Sequence, residues 1–402
     1  MPTSTIFFDD DAPLLSPLTD TRASFDVRTG AFTTLGRLKR ALDLVPVALF
    51  VPPRLRDVTN EGYALPVNQM PEGALGELLL INGRCPLPLG QIIDLPLGAR
   101  LVEKSTGHTI AARANTADAN RLLDGDASGL TTRELDAVVL LRRAWNVRTS
   151  RDPAIKVDLT LLTAAPGKSA GPGTYQIGGH PVVIDPTANV YPSVVLNAEA
   201  GAIYIGPGAT IRPHAVLSGP CAVMEHSTVM EHAHIKANTA IGPFCKVGGE
   251  IGGTIFQGYA NKAHEGHLGD SWIGEWVNLG AGTTNSNLLN TYTPVIAQAE
   301  PGGPRERTGE TFLGAIIGDH VKTAISTRIM TGAILHAGSM FARTEPLSAT
   351  IGPFTWATDR GVQPFRFDKF MEIARTMMAR RHVTPTDSMV RVLQGLHQEA
   401  AG

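Results

Sequence analysis

The chain has 402 residues, with 35 basic and 37 acidic side chains and a net charge of −2, enough length for two or three domains with sizeable cores. Balanced charge without a polybasic run argues against nucleic acid or an anionic membrane as partner. Three cysteines are an odd number and read as thiols in a reducing compartment; no secretory pattern opens the chain, and the most apolar early stretch, residues 41–51, holds Pro46 and is too short for a membrane span, so the cytoplasm is expected.

Residues 1–165 read as an α/β domain. Ile6 to Phe8 and Pro46 to Val51 are strand-like around a helix over 33–44, residues 77–81 form another buried strand, and residues 132–143 carry apolar side chains at helical spacing. Pro166, Gly167, Gly171, Pro172 and Gly173 mark a linker, taken over 166–181.

From Ile205 the pattern changes. Ile205, Ile211, Leu217, Val223, Val229, Ile235, Ile241 and Val247 recur every sixth residue, and a small side chain follows four places after each of the first seven, at Ala209, Ala215, Cys221, Ser227, Ala233, Thr239 and Cys245. A period of six is neither helix nor simple strand alternation; it marks hexapeptide units that bury their apolar edge only by stacking into a parallel β-helix, placed over 182–352. The repeat resembles that of left-handed β-helix proteins, a likeness that implies a left-handed coil of three hexapeptides and a homotrimer. His214 and His232, eighteen residues apart, should stack on successive coils. Ile273, Leu279, Ile317, Ile329 and Leu335 carry later rungs. Two slips interrupt the ladder, between Val247 and Ile273 and between Leu279 and Ile317, where residues 285–312 are too long and polar for a corner and suggest a binding excursion. Residues 353–402 read as a helical cap, with helices over 367–381 and 387–397.

The densest polar cluster lies on these slips. It holds Asn261, Lys262, His264, His267 and Asp270, then Asn278, Gly280, Ala281, Gly282, Thr283, Asn285 and Asn287. A neutral imidazole accepts a proton near pH 7, glycines let backbone N–H groups approach a ligand, and asparagines serve sugar hydroxyls from both sides. The bland alternatives are a solvent-facing corner histidine for His264 and ladder asparagines for Asn278 and Asn287.

His264, Leu268-Gly269-Asp270, Ile273-Gly274, Val277-Asn278, Gly280-Ala281-Gly282-Thr283 and Asn287 follow a spaced motif, and on it the chain resembles the acetyltransferase half of the bifunctional GlmU family, which makes UDP-N-acetylglucosamine. Phe8-Asp9-Asp10, residues 15–22, Ile81-Asn82-Gly83-Arg84 and Gly258-Tyr259-Ala260-Asn261-Lys262 are similar to a divergent bacterial GlmU-like group of sugar nucleotidyltransferases. The resemblance implies an α/β nucleotidyltransferase-like domain joined to an acyltransferase β-helix that uses acetyl-CoA on a sugar phosphate or nucleotide sugar. It makes His264 the general base, places Asn278 and Asn287 near sugar and acyl groups, and puts Gly280, Ala281, Gly282 and Thr283 at the CoA thioester. Asn261, Lys262, His267, Asp270 and Asn285 would line the acceptor. Departures from the family pattern are His267 and Leu288 at two tyrosine positions and Gly252 at a phosphate-binding lysine position, which Lys246 or Lys262 would have to replace.

In the first domain, the glycine-rich phosphate loop of nucleotidyltransferases is replaced by Asp9-Asp10-Asp11-Ala12-Pro13, which would repel a triphosphate unless Mg2+ intervened. Asp9, Asp10, Arg22, Asp26 and Arg84 are the candidates for a rebuilt nucleotidyl site. The rival readings are a sugar-1-phosphate nucleotidyltransferase that uses the β-helix to trimerise, and a silent sugar-nucleotide-binding trimer. No metal site is expected in the β-helix.

Overall fold

The computed structural model describes residues 3–12, 14–71 and 76–401, so Pro13 of the acidic loop lies outside the described residues. Two compact units form. The first takes in Met1–Leu15, Thr21–Val27 and Phe32–Arg142; the second takes in Ser16–Asp20, Arg28–Ala31 and Arg143–Gly402. The change of unit falls at Arg142, earlier than the composition shift near residue 165, because the intervening helix packs on the coil.

In the first unit, β1 (Thr3–Phe8), β2 (Leu44–Phe50) and β3 (Leu78–Asn82) are apolar strands of a six-stranded sheet. With β4 (Ala99–Glu103), β5 (Thr109–Ala114) and β6 (Thr131–Leu135), the strand order is β2-β1-β3-β5-β4-β6. Strands β2, β1 and β3 run parallel, and β5 is antiparallel to both neighbours. Helix α1 (Thr34–Ala41) starts where expected, because the Thr33 hydroxyl accepts the Gly36 amide at 3.1 Å and satisfies an otherwise orphaned donor. The helix read over residues 132–143 is absent. That segment instead supplies β6, parallel to β4, and then drapes the Val139 and Leu140 amides onto the buried Glu103 carboxylate at 2.7 and 3.0 Å. Apolar spacing alone does not separate a short edge strand from a helix.

In the second unit three parallel ladders wind as a β-helix. We call them sheet I (nine strands), sheet II (five strands) and sheet III (six strands), in the order the chain meets them in each coil. Every aliphatic residue of the six-residue ladder from Ile205 to Val247 is fully buried, and so is every small corner residue between them. Burial also pushes the Cys221 and Cys245 thiols up to about 12, so they act as small apolar fillers rather than nucleophiles. The His214 and His232 rings stack as the eighteen-residue coil requires, with centroids 5.0 Å apart and planes 6° off parallel.

The first slip has a simple cause. Six residues separate successive interior positions at regular corners, but only four separate Val247 from Ile251, and five each separate Ile251 from Phe256 and Leu268 from Ile273. The second slip is one expanded corner, in which a hairpin of Ile296–Gln298 and Arg305–Arg307 leaves the coil between Asn285 and Ile317.

A helix not foreseen from the sequence, α2 (Asn146–Leu162), belongs to this unit and packs against the sheet I strands Ile203–Ile205 and Cys221–Val223. Of the outward residues of sheet I, Ala222, Ala240, Ile255, Trp272, Ile316 and Ile334 are buried while Tyr204 is half-buried, and the Trp272 indole donates to the Arg28 carbonyl at 3.0 Å. The coil ends under the helices Phe367–Ala379 and Asp387–Ala401, whose Phe370, Met371 and Leu393 join Phe354 and Phe365 in a small core. No helix among the described residues is long and apolar enough to cross a membrane.

Candidate functional site

Sheets II and III meet at an edge where each coil turns through a short corner. Residues 263–266 form one such corner between the strands Asn261–Lys262 and His267–Gly269. It stacks on Gly248 and Gly249, and a side chain at Gly249, where φ is +77°, would come within 2.9 Å of the His264 carbonyl. It also lies beneath the next corner, residues 280–283, because a side chain at Gly266 would meet the Thr283 carbonyl at 2.2 Å. The His264 ring, on the corner that follows the shortened one, is exposed.

Three predicted site residues face inward instead. Lys262 stands on the interior ladder after Val247, is 1% exposed, and donates its ammonium protons to the carbonyls of Gly248 (3.3 Å), His264 (2.5 Å) and Glu265 (2.9 Å). Burial pulls its pKa down to about 8. With all three protons taken, it is not placed to hold substrate. Asn285 is also interior. Its amide accepts from Gly269 N at 2.8 Å and donates to Gly269 O and the Ser271 hydroxyl, filling the coil where the excursion departs. Thr283 is buried against the Thr323 hydroxyl at 3.0 Å, and Gly280 is required because a Cβ there would lie 2.5 Å from the Ala324 backbone. Half of the Gly-Ala-Gly-Thr motif is therefore explained by stacking, which leaves Ala281 and Gly282, both half-exposed, as the part that stacking does not account for.

Asp270 does not point to an acceptor either. Its carboxylate receives Arg151 at 2.6 Å, pairs with Arg148 at 3.1 Å, and accepts from the Asn287 amide at 2.7 Å, which ties α2 to the coil. His267 and Asn287 converge over Gly269, where a side chain would strike His267 Nε2 at 2.6 Å and Asn287 Nδ2 at 2.7 Å. Glu250, one coil earlier on sheet III, lies 3.4 Å from His267 Nδ1 and bonds the Lys236 ammonium, which holds the Glu250 carboxyl below its ordinary value. Lys236 and Glu250 escaped the sequence reading. The Lys236 stem lies across Gly252, the position where the resembled family has its lysine, and the shortened corner hides this pairing from a count of eighteen. On sheet II, Lys246, Asn261, Asn278 and Lys322 occupy one outward row, with Asn261 donating to Asn278 at 2.8 Å. Lys246 is exposed, and burial lowers the Lys322 pKa to about 8.

The excursion frames a cavity of about 470 Å3 lined by Leu289, Val295, Ala297, Arg305, Thr331 and Ser348 among others.

In the first unit, the carboxyl ends of β1 and β3 form the crevice where strand order reverses, the usual ligand position in such sheets. It is filled from within. Arg84 is fully buried and grips Asp10 through Nε at 2.7 Å and through Nη2, while Nη1 bonds the Leu141 carbonyl and Nη2 also reaches His108. Asn82 donates to Asp10 at 2.8 Å, and a Cβ on Gly83 would meet the Phe25 amide at 2.6 Å. Asp9 accepts the amides of Asp11 and Ser24, and burial raises its pKa. Asp26 receives the Tyr63 hydroxyl, and Arg22 is 8% exposed. Asp10 and Arg84 are thus locked to each other, with Asp10 keeping an exposed edge. A Mg2+ ion at Asp9 and Asp10 would share the Asp10 carboxylate with Arg84 and Asn82, and among the described residues no group of three or more His, Cys, Asp or Glu side chains is arranged to hold a metal.

Fold and site together define an α/β sheet of sugar nucleotidyltransferase type joined to a hexapeptide-repeat β-helix. Residues 5–166 match the family described as sugar nucleotidyl transferase. The bifunctional protein GlmU of Methanococcus aeolicus is 34% identical over 141 residues, covering 35% of this chain and 34% of that protein. GlmU of Trichormus variabilis is 26% identical over 196 residues (43% and 42%), and that of Xylella fastidiosa 24% over 246 residues (59% and 50%). Residues 5–166 are thus of the sugar nucleotidyl transferase family, and the chain is similar to GlmU proteins while spanning a third to a half of the length of these relatives. A solved perosamine N-acetyltransferase mutant from Caulobacter crescentus matches at 9% identity over 90% of this chain and 97% of that one, with a TM-score of 0.17, too low to bear on the fold.

Proposed function

We propose that this chain transfers an acyl group, acetyl in the simplest case, from CoA to the amine of an amino-sugar phosphate or nucleotide sugar. The observation that carries the reading is the exposed His264 on a corner stacked directly against the half-exposed Ala281 and Gly282. His264 takes a proton from the acceptor amine as its nitrogen attacks the thioester carbonyl; a C–N bond forms, the C–S bond breaks, and CoA leaves as the thiol. The backbone at Ala281 is assigned to the thioester carbonyl, and Asn278 and Asn261 to acceptor hydroxyls. Asn287, held to Asp270, borders His267 and leaves Glu250 and Lys236 as the charged pair beside the acceptor.

The acceptor is placed between neighbouring subunits of a trimer. Burial of the outward face of sheet I by the chain's own segments supports this, since it leaves sheets II and III to meet a partner. The first unit is read as a nucleotidyltransferase whose crevice the Asp10–Arg84 pair now occupies. A cytoplasmic location accords with three free, buried cysteines and a CoA thioester donor.

The test is release of free CoA thiol from acetyl-CoA with a panel of amino-sugar phosphates and nucleotide amino sugars. His264→Ala should abolish it; retained turnover removes the assignment. Pyrophosphate release from a nucleoside triphosphate and a sugar phosphate would instead restore nucleotidyl transfer to the first unit.

A further inference from the structure

We infer that Lys262 is a positioning residue that holds the His264 corner from inside the coil. The inference rests on the transferase reading above and adds to it a group that never touches substrate.

The interior row of sheet II is aliphatic at Val229 and Val247, becomes lysine at Lys262, and returns to an aliphatic residue at Leu279. A buried ammonium is costly unless every proton finds an acceptor, and here all three do, on two successive corners. Elsewhere along this edge the corners are joined by the backbone: His232 N donates to the Pro213 carbonyl at 3.3 Å, and Ser326 N to the Ala281 carbonyl at 2.6 Å. At the His264 corner the shortened turn at Gly248 and Gly249 breaks that pattern. Among the described residues, the carbonyls of His264 and Glu265 receive Lys262 Nζ and no backbone amide. The side chain supplies the bonds that unequal corner lengths take away. Because it grips the carbonyl of His264 itself and of the next residue, it fixes the backbone from which the imidazole projects.

Lys262→Leu places in this rung the residue that Leu279 already carries one coil later, so the ladder has room for it. Lys262→Gln retains two N–H donors. Turnover is measured alongside amide hydrogen exchange of each folded variant. We expect kcat to fall about 100-fold in the leucine variant and less in the glutamine variant, with KM for acetyl-CoA within twofold, since the 280–283 corner keeps its own bonds to Thr323 and Ser326. Exchange at residues 263–267 should quicken about tenfold while that at 281–283 stays unchanged. Full kcat in the leucine variant, a rise in KM with kcat intact, or unchanged exchange at 263–267 each overturns the inference. His264→Ala, assayed in parallel, separates the two claims: an active alanine variant sinks the transferase reading, whereas an inactive one beside a fully active Lys262→Leu sinks only the role of Lys262.

Discussion

His336 offers a quantitative test of the interior. It is 4% exposed, its Nδ1 lies 2.9 Å from the Ser16 hydroxyl, and that hydroxyl donates to Asp20 at 2.5 Å. With its proton given to Asp20, Ser16 accepts from His336 Nδ1–H, so Nε2 carries the lone pair, and it has no hydrogen-bond partner among the described residues. Burial pushes the pKa down from 6.5 to about 4, opposed only weakly by Glu300. A histidine whose folded pKa is depressed takes up a proton on unfolding between these two values, so stability present above pH 6.5 is lost as pH falls toward 4. Two and a half units of depression give a loss of about 2 kcal/mol between pH 7.5 and pH 5.0. His336→Gln removes the titrating group, so the pH dependence of wild type minus that of the variant isolates it, whatever the variant costs at pH 7.5. All four tryptophans, Trp145, Trp272, Trp276 and Trp356, lie in the same unit as His336, so tryptophan fluorescence during urea unfolding follows that unit alone. At an m-value of about 3 kcal/mol per molar urea, the acid shift in midpoint should be roughly 0.7 M larger for wild type. Equal shifts in both proteins would show that His336 titrates as an open histidine and that Ser16–Asp20 does not seal it.

Two further outcomes follow from the site geometry. Gly280→Ala should lower the stability of the second unit by about 3 kcal/mol in thermal unfolding, because the new methyl lands on the Ala324 backbone, whereas Gly90→Ala, with nothing within 4 Å, should change little. Asp270→Ala should cost about 2 kcal/mol, because Arg151, which is 4% exposed, loses its more buried carboxylate and keeps only Asp152 and the Gly253 carbonyl, and adding Arg151→Met should recover most of it in denaturant titrations. An Asp270→Ala protein of unchanged stability with a raised acceptor KM would instead return Asp270 to the substrate.

Much of the β-helix was legible in advance because its determinant is local and repeated. Each aliphatic residue from Ile205 to Val247 faces inward for the same reason as the one eighteen residues before it. The two cap helices and the stacking of His214 on His232 follow from equally short-range patterns. The candidate site was legible only as a neighbourhood. Lys262 and Asn285 looked like ligand residues because lysine and asparagine usually face water, yet the shortened corners turn Lys262 inward, Asn285 keeps the six-residue step from Leu279, and the coil satisfies both there. Asp270 and Arg84 look equally available on paper, and each is claimed by a partner far away in the chain, Arg151 and Asp10.

Period and residue type alone thus determined that an α/β sheet is followed along this chain by a hexapeptide coil, and roughly where the rhythm fails. Which polar groups at that failure remain free was decided only by the tertiary structure. A side chain's direction in a coil depends on how many residues each corner spends, and its availability depends on what the rest of the chain brings within hydrogen-bonding distance. Neither quantity is carried by the motif itself.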